Sequence, residues 1–464
     1  MSLREKGSAR VFKKILICNR GEIALRIIRT CRDMGIGTVV VHSTADADSR
    51  PVELADQAVP IGPPPSNRSY LHIPSIIHAA QLTGAEAIHP GYGFLSEDSY
   101  FAEICADHGL SFIGPPVRVM ESMSDKSTAR QLMARAGLPV PAGTDQPLAS
   151  YDEAVEHAES VGYPIILKAA AGGGGRGIQI VTQRGALAEA LASVRHTAQS
   201  VFRDDRVYLE KYIPLARHIE IQVLGDQYGN IVYLGERDCS IQRRRQKLIE
   251  ESPSTYIDAD LRRRMGEAAV AGARAIGYQS AGTMEFLVDP DRNFYFIEMN
   301  TRIQVEHPVT ELLTGVDLVE QMIRVAAGEP LSVRQDQIQP GGHAIECRVN
   351  AEDPANNWQP STGRMTRFIP PAGPRVRVDT HAHEGYVVPP YYDSLLAKVI
   401  VHGQHRDHAL DLMQRALSEF ACEGVKTTVP FHRQILRHPV FRRGEHHLDF
   451  LERYLRPDGN LAET

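Results

Sequence analysis

Glu298-Met299-Asn300-Thr301-Arg302-Ile303-Gln304-Val305-Glu306-His307, with Glu285 thirteen residues upstream of it, is the stretch from which the fold is read. Between Glu285 and Glu298 the chain runs Phe286-Leu287-Val288, then Asp289-Pro290-Asp291-Arg292-Asn293, then Phe294-Tyr295-Phe296-Ile297. Two β-rich runs about a cluster of turn formers predict a hairpin. With the turn centred on Asp291 and Arg292, Glu285 and Glu298 fall opposite one another. Asn300 shares a face with Glu298, because strand side chains alternate. Directly opposed carboxylates repel unless a cation lies between them, and these two sit inside apolar runs rather than on a solvated turn. A few oxygen ligands on a rigid sheet suit Mg²⁺ held jointly with substrate phosphates. Glu285, Glu298 and Asn300 are therefore the candidate metal ligands.

Toward the N-terminus, Ile15-Leu16-Ile17 reads as a short strand, followed by Asn19-Arg20-Gly21-Glu22 and an amphipathic helix. Ile23, Ile27, Ile28 and Cys31 recur on that helix at helical spacing. It ends near Gly35-Ile36-Gly37, and Thr38-Val39-Val40-Val41 is the next buried strand. Strand, helix, strand is a parallel βαβ unit, and the alternation continues through Ala87-Ile88-His89-Pro90 and Ser111-Phe112-Ile113-Gly114. Residues 1–125 are expected to form an open parallel α/β domain and 126–140 a linking helical region. Residues 141–212 are expected to form a compact lid. The large remainder, 213–464, reads as α+β, with clean alternation in His218-Ile219-Glu220-Ile221-Gln222-Val223 and a helix around Leu318 to Ala327.

The lid carries a glycine run, Gly172-Gly173-Gly174-Gly175, after the strand Ile165-Ile166-Leu167-Lys168. Gly172, Gly174 and Gly177 satisfy G-x-G-x-x-G, but β-like Ile178-Gln179-Ile180-Val181 follows where a dinucleotide site needs a helix. No G-x-x-x-x-G-K-[ST] loop occurs. A strand–glycine–strand loop can lay backbone N–H groups over phosphates and stay mobile, and Lys168 is placed to reach the same phosphates.

The bulk numbers narrow the function class. A chain of 464 residues exceeds one hydrophobic core, so two or three domains are expected. The net charge of −6 argues against a chain-wide nucleic-acid surface; the run Arg243-Arg244-Arg245-Gln246-Lys247 is better suited to a small anion. Six scattered cysteines without a Cys-x-x-Cys pair disfavour zinc and disulfides. No apolar run reaches membrane-span length, and residues 1–10 lack the apolar core of a secretory signal. A cytoplasmic enzyme is expected.

With these pieces assembled, the chain resembles the ATP-grasp superfamily and, within it, the biotin carboxylases. The resemblance rests on Asn19-Arg20-Gly21-Glu22-Ile23-Ala24, the stretch His89 to Glu97, Gly172 to Gly177, Gln242-Arg243-Arg244, the Glu298 to His307 string, Glu346 to Asp353, and Pro390-Tyr391-Tyr392-Asp393-Ser394. It implies an ATP-grasp fold with a mobile glycine-loop lid, and carboxylation of the ureido N1′ of biotin by ATP and bicarbonate. By resemblance, Lys126, Lys168 and Gly172–Gly175 hold nucleotide phosphates. Glu210 and the backbone of Lys211 and Ile213 bind adenosine, and His218 lies near the ribose or phosphates. Glu285 and Glu298 bind Mg²⁺ or Mn²⁺, with Asn300 nearby. Arg302, Lys247, Gln304 and the backbone of Val305 cradle bicarbonate; Glu306 is the general base; Arg348 stabilises the enolate-like oxygen of biotin; Tyr92 and Gln246 line the biotin pocket. The resemblance leaves Cys239 without an essential role.

Three positions depart from the pattern. Arg245 stands where histidine is common, exchanging a titratable contact for a fixed charge. Ala170 and Ala171 stand where Ser-Gly is usual, which should stiffen the lid slightly. No Met-Lys-Met tripeptide marks a biotinyl lysine, so a separate biotin carboxyl carrier protein and carboxyltransferase subunits are the expected partners, with the chain itself a homodimer. The acceptor expected downstream is acetyl-CoA; a propionyl-CoA or pyruvate system is the alternative. Two rival readings are another ATP-grasp ligase and a silent nucleotide-binding paralogue. The first gives no reason for the Arg302–Glu306 string plus Arg348, and only Arg245 supports the second.

Overall fold

The computed structural model describes residues 11–170, 177–456 and 459–462. The glycine run Gly172–Gly175 lies outside them. The first strands form a five-stranded parallel sheet in the order Gln57–Gly62, Gly37–Ser43, Lys14–Ile17, Ala87–His89, Ser111–Phe112. Parallel neighbours need crossover connections. The helix Gly21–Asp33 is the first of them, burying Ile23, Ile27, Ile28 and Cys31. Gly21 opens that helix at φ +70, a left-handed conformation that suits glycine. The chain leaves Lys14–Ile17 for a neighbour on one side and later returns to pair on the other. The loops after this strand and after Ala87–His89 therefore flank a crevice at the switch point. Asn19 stitches them together by donating to the carbonyls of Pro90 and Tyr92 at 2.6 and 2.7 Å.

A small antiparallel sheet follows, Ile178–Val181, Ile165–Ala169 and Val207–Lys211 in that order. With the helices Tyr151–Val161 and Leu187–Phe202 it encloses a core of its own around Leu148, Ile165, Leu167, Leu191 and Leu209.

An eight-stranded antiparallel sheet dominates the rest: Phe294–Asn300, Ser280–Val288, Arg217–Gly225, Ile231–Arg243, Gln246–Ser252, His343–Asn350, Leu395–Gly403, Val376–Thr380. The helix Ala259–Ala275 covers the strands at one end through Leu261, Met265 and Ala269 against Ile221, Val223 and Met284. The helix Arg406–Glu419 covers the other end through Leu410 and Met413 against Val399 and Cys347.

The hairpin turns within the cluster the sequence predicts, but about Asp291 alone rather than between Asp291 and Arg292. Asp289 and Asn293 bond across it at 2.9 Å, with Arg292 at φ +63. Glu285 and Glu298 are register partners. The pairing then jumps from Glu285–Glu298 to Phe286–Phe296, so Ile297 is an extra residue, a bulge beside the acids. At the tip between Arg243 and Gln246, which pair, Arg244 and Arg245 take φ +48 and +66. Two consecutive left-handed residues make a tight hairpin turn that normally calls for Asn-Gly, so this cationic tip stores backbone strain.

Candidate active site

Register alone builds a polar row across four strands. Glu298 faces Glu285, Glu285 faces Glu220, and Glu220 faces Arg237. Glu220 and Arg237 have no exposed surface, a burial that only pairing makes tolerable. Arg237 gives Nε and Nη2 to Glu220 Oε2 at 3.2 and 3.1 Å, and its remaining donors go to Gln222, Thr283, Gln304 and Thr310. From the next strand, Lys247 reaches into the row. Its ammonium bonds Glu220, Glu285 at 3.0 Å and Glu306 at 2.7 Å. His218 stands two residues before Glu220, with Nε2 3.1 Å from Glu285 and 3.3 Å from Glu220. Burial opposes its charged form, but those carboxylates push it up to about 9. The Gln242 amide on Nδ1, at 2.9 Å, fits the Nε2–H tautomer; a second proton requires that amide to turn over.

The loop from Thr301 to Glu306 closes over this row. Glu306 is almost fully buried and accepts from Lys247 and from Arg348 Nη2 at 2.8 Å. Burial alone would raise its carboxyl, yet Lys247, Arg348 and Arg237 together hold it well below the usual carboxylate range. Arg348 is anchored from behind by Glu250 Oε1, 2.6 Å from Nε. Arg302 donates to Glu97 at 3.0 Å and to Asn300 Oδ1 at 2.9 Å. Gln304 is buried, its amide nitrogen on Glu285 and its oxygen on Arg237. The carbonyl of Val305 takes Lys398 Nζ at 3.0 Å.

Among the residues expected to bind nucleotide, Lys126 bonds Glu298 at 2.6 Å. That carboxylate raises the lysine's proton affinity against its burial. Lys168 bonds Glu210, which also receives Arg130 at 3.4 Å. Lys211 is held by the carbonyls of Gly162 and Tyr163, and its N–H bonds Ala142 O; Ile213 is half-buried just beyond. Tyr92 lies at the switch-point crevice with its hydroxyl on Glu22, while Gln246 is exposed at the foot of the cationic turn.

A hard cation fits the opposed acids. Glu285 and Glu298 offer carboxylate oxygens, while Asn300 turns its amide nitrogen to Glu285 at 2.8 Å and its oxygen to Arg302; the like-charged register partners share their negative charge with ammonium groups on flexible stems. Among the described residues, His218, Glu220 and Glu285 form one group able to hold an ion; Glu298 stands apart from it, turned to Lys126. Cys239, Glu220 and Glu306 also converge, but burial raises that thiol well above its ordinary value, leaving it inert.

Several residues of the constellation received no role from the sequence, Glu220, Arg237, Glu250 and Glu97 among them. Glu220 carried a usable signal, since His218, Glu220 and Gln222 put three polar side chains on one face of a strand that is buried throughout.

Three family models cover nearly the whole chain. Biotin carboxylase, N-terminal domain, matches residues 11–120; carbamoyl-phosphate synthase L chain, ATP binding domain, matches 125–334; and biotin carboxylase C-terminal domain matches 346–453. A biotin carboxylase of a Nostoc species is 53% identical over 441 residues, 95% of this chain and 99% of its own length. The chain belongs to the biotin carboxylase family. Among solved structures, the biotin carboxylase of Campylobacter jejuni in an ATP complex superposes with a TM-score of 0.94 at 50% identity, covering 96% of this chain and 99% of its own. The biotin carboxylase domain dimer of Hydrogenobacter thermophilus 2-oxoglutarate carboxylase, bound to MgADP, ADP and bicarbonate, gives 0.93 at 48% identity, covering 96% and 98%. As a biotin carboxylase, this chain is an ATP-grasp ligase. No helix among the described residues is long and apolar enough to cross a membrane.

Proposed function

We propose that the chain carboxylates the ureido N1′ of biotin, carried on a separate polypeptide, through carboxyphosphate. The observation that carries the residue assignment is Glu306, a buried carboxylate kept ionised between Lys247 and Arg348 and four residues from the Arg302 fork. A guanidinium fork suits planar bicarbonate, and Lys247, Gln304 and the Val305 backbone complete its cradle. Bicarbonate competes with Glu306 for Lys247, and the ureido oxygen of biotin competes with it for Arg348. Each cation drawn off Glu306 raises its basicity, so substrate binding itself arms the base.

Glu306 then takes the bicarbonate proton, and the freed oxygen attacks the γ-phosphorus of ATP. An O–P bond forms, the β,γ-bridge breaks, and ADP leaves. Carboxyphosphate falls apart to CO₂ and phosphate; the phosphate removes the N1′ proton, and N1′ attacks CO₂. Arg348 stabilises the negative charge on the ureido oxygen. Lys126, Lys168 and the loop Gly172–Gly175 hold the phosphates, Glu210, Lys211 and Ile213 the adenosine, and Tyr92 and Gln246 the biotin. Glu285 and Glu298 would hold Mg²⁺ or Mn²⁺ with Asn300 beside them, and the bound ion neutralises phosphate charge.

The working partners are a biotin carboxyl carrier protein and carboxyltransferase subunits of an acetyl-CoA carboxylase, supported by relatives of matching length that are themselves biotin carboxylases. A keto-acid acceptor is the second reading, favoured by the likeness to the 2-oxoglutarate carboxylase domain. That relative is a dimer, and a homodimer is proposed here. Six free cysteines, five of them buried, fit a reducing cytoplasm. The test is ADP release with MgATP: it should need bicarbonate and rise with free biotin. Tight ATP binding with no response to either would sink the proposal.

A further inference from the structure

Glu250 and Glu346 face one another as register partners of the strands Gln246–Ser252 and His343–Asn350, and neither has any exposed surface. Cross-strand partners stand about 5 Å apart at Cβ, and two ionised carboxylates so close in a dry interior oppose each other strongly. Glu250 Oε1 is taken by Arg348, but its Oε2 has no hydrogen-bond partner, and neither oxygen of Glu346 has one.

The surrounding charges are already committed. Lys398, on the strand beyond, has its ammonium on Val305 O at 3.0 Å and Glu22 at 3.1 Å. Arg348 turns to Glu250 and Glu306. Lys247 is held by the acidic row, and His307, at the start of the overlying helix His307–Thr314, is kept neutral by burial and the nearby cations. An ionised Glu346 would be a buried anion with no partner, a state interiors avoid by retaining the proton. Burial lifts the Glu346 carboxyl well above its ordinary range despite the pull of Lys398, and burial likewise lifts Glu250 to about 7 despite Arg348.

We propose that Glu346 works as a carboxylic acid, a positioning residue whose proton is shared with the free oxygen of Glu250, so that the acid–carboxylate pair holds the Arg348 guanidinium in place for biotin. The pair offers Arg348 one negative charge from behind instead of two. The guanidinium keeps positive charge for the developing ureido oxygen, and its fork is not drawn down into the sheet. Nothing in this requires Glu346 to touch substrate.

The inference rests on the proposed role of Arg348, so its test includes a readout independent of turnover. Infrared spectra of the whole chain at neutral pH are compared for wild type and E346Q. A protonated-carboxyl C=O band is expected in the wild type and missing from E346Q; identical spectra overturn the proposal. Kinetics then separate positioning from bulk structure. The amide of E346Q still donates to Glu250, so its biotin-dependent kcat should stay within about threefold of wild type. E346L keeps the bulk without the donor and should lose about tenfold to 100-fold in that kcat, with KM for ATP and biotin-independent ATP hydrolysis unchanged. Equal losses in both variants, or a loss confined to KM, overturn the positioning role. If the wild type shows no biotin-dependent turnover at all, the carboxylase mechanism is what fails, and the infrared comparison still decides the proton.

Discussion

Replacing Glu306 with Gln separates chemistry from architecture, and the ion-pair geometry sets both magnitudes. The carboxylate accepts from Lys247 at 2.7 Å and Arg348 at 2.8 Å. When it becomes an amide, Lys247 keeps Glu220 and Glu285, and Arg348 keeps Glu250. No buried cation is orphaned. The stability cost should therefore be about 1–3 kcal/mol, the desolvation of groups left short of a bond, rather than the ~3–5 kcal/mol of an isolated buried pair broken in half. Loss of a general base costs about 10²–10⁴ in turnover. ADP release under saturating MgATP and bicarbonate reads the second effect, while calorimetric ATP titration and denaturant unfolding read the first. The expected result is a collapse of kcat with nucleotide affinity preserved. Turnover within tenfold of wild type would remove Glu306 as the base, and an equal loss of ATP binding would make it a structural residue.

Three further outcomes follow from the same geometry. Glu251 is buried, but Arg406 and His343, each at 2.7 Å, hold its carboxyl down at about 2. A depressed carboxylate stabilises the fold above its unfolded value of ~4.3 and loses that contribution as pH falls toward the folded value, here roughly 3 kcal/mol. E251Q should be less stable by about that much at neutral pH and lose stability less steeply on acidification; parallel acid profiles would refute the assignment. Arg245→His should alter turnover by less than about tenfold and add a pH dependence near 6.5, read from kcat profiles; a gain of several orders of magnitude would mean that the native arginine cripples the site. Chelation of divalent cations should abolish ADP release, Mg²⁺ or Mn²⁺ should restore it, and Glu298→Gln should raise the Mg²⁺ requirement about tenfold or more; an unchanged requirement would remove Glu298 from the metal set.

Local chemistry was legible in the sequence where it acted over short distances. The turn at Asp289–Asn293 follows from turn residues within one hairpin, and the expected pairing of Glu285 with Glu298 is met because the bulge offsets a turn centred one-half residue earlier than expected. The helix Gly21–Asp33 follows from its own spacing. The bulge at Ile297 does not, because nothing local distinguishes it from an uninterrupted strand. Arg237 and Glu250 were invisible for another reason: their partners lie 17 and 98 residues away, and only the assembled sheet reveals which carboxylate needs which cation. Glu97 likewise meets Arg302 across 205 residues. The glycine loop Gly172–Gly175 lies outside the described residues.

Transfer of label from bicarbonate to biotin is the direct measure of carboxylation by this chain. The purified chain is given radiolabelled bicarbonate, MgATP and free biotin, and the label on biotin is counted against the ADP formed. Acid-labile label is expected on N1′, in step with ADP and absent when any one of the three substrates is withheld. ADP formed under these conditions with no label on biotin would contradict carboxylation by this chain.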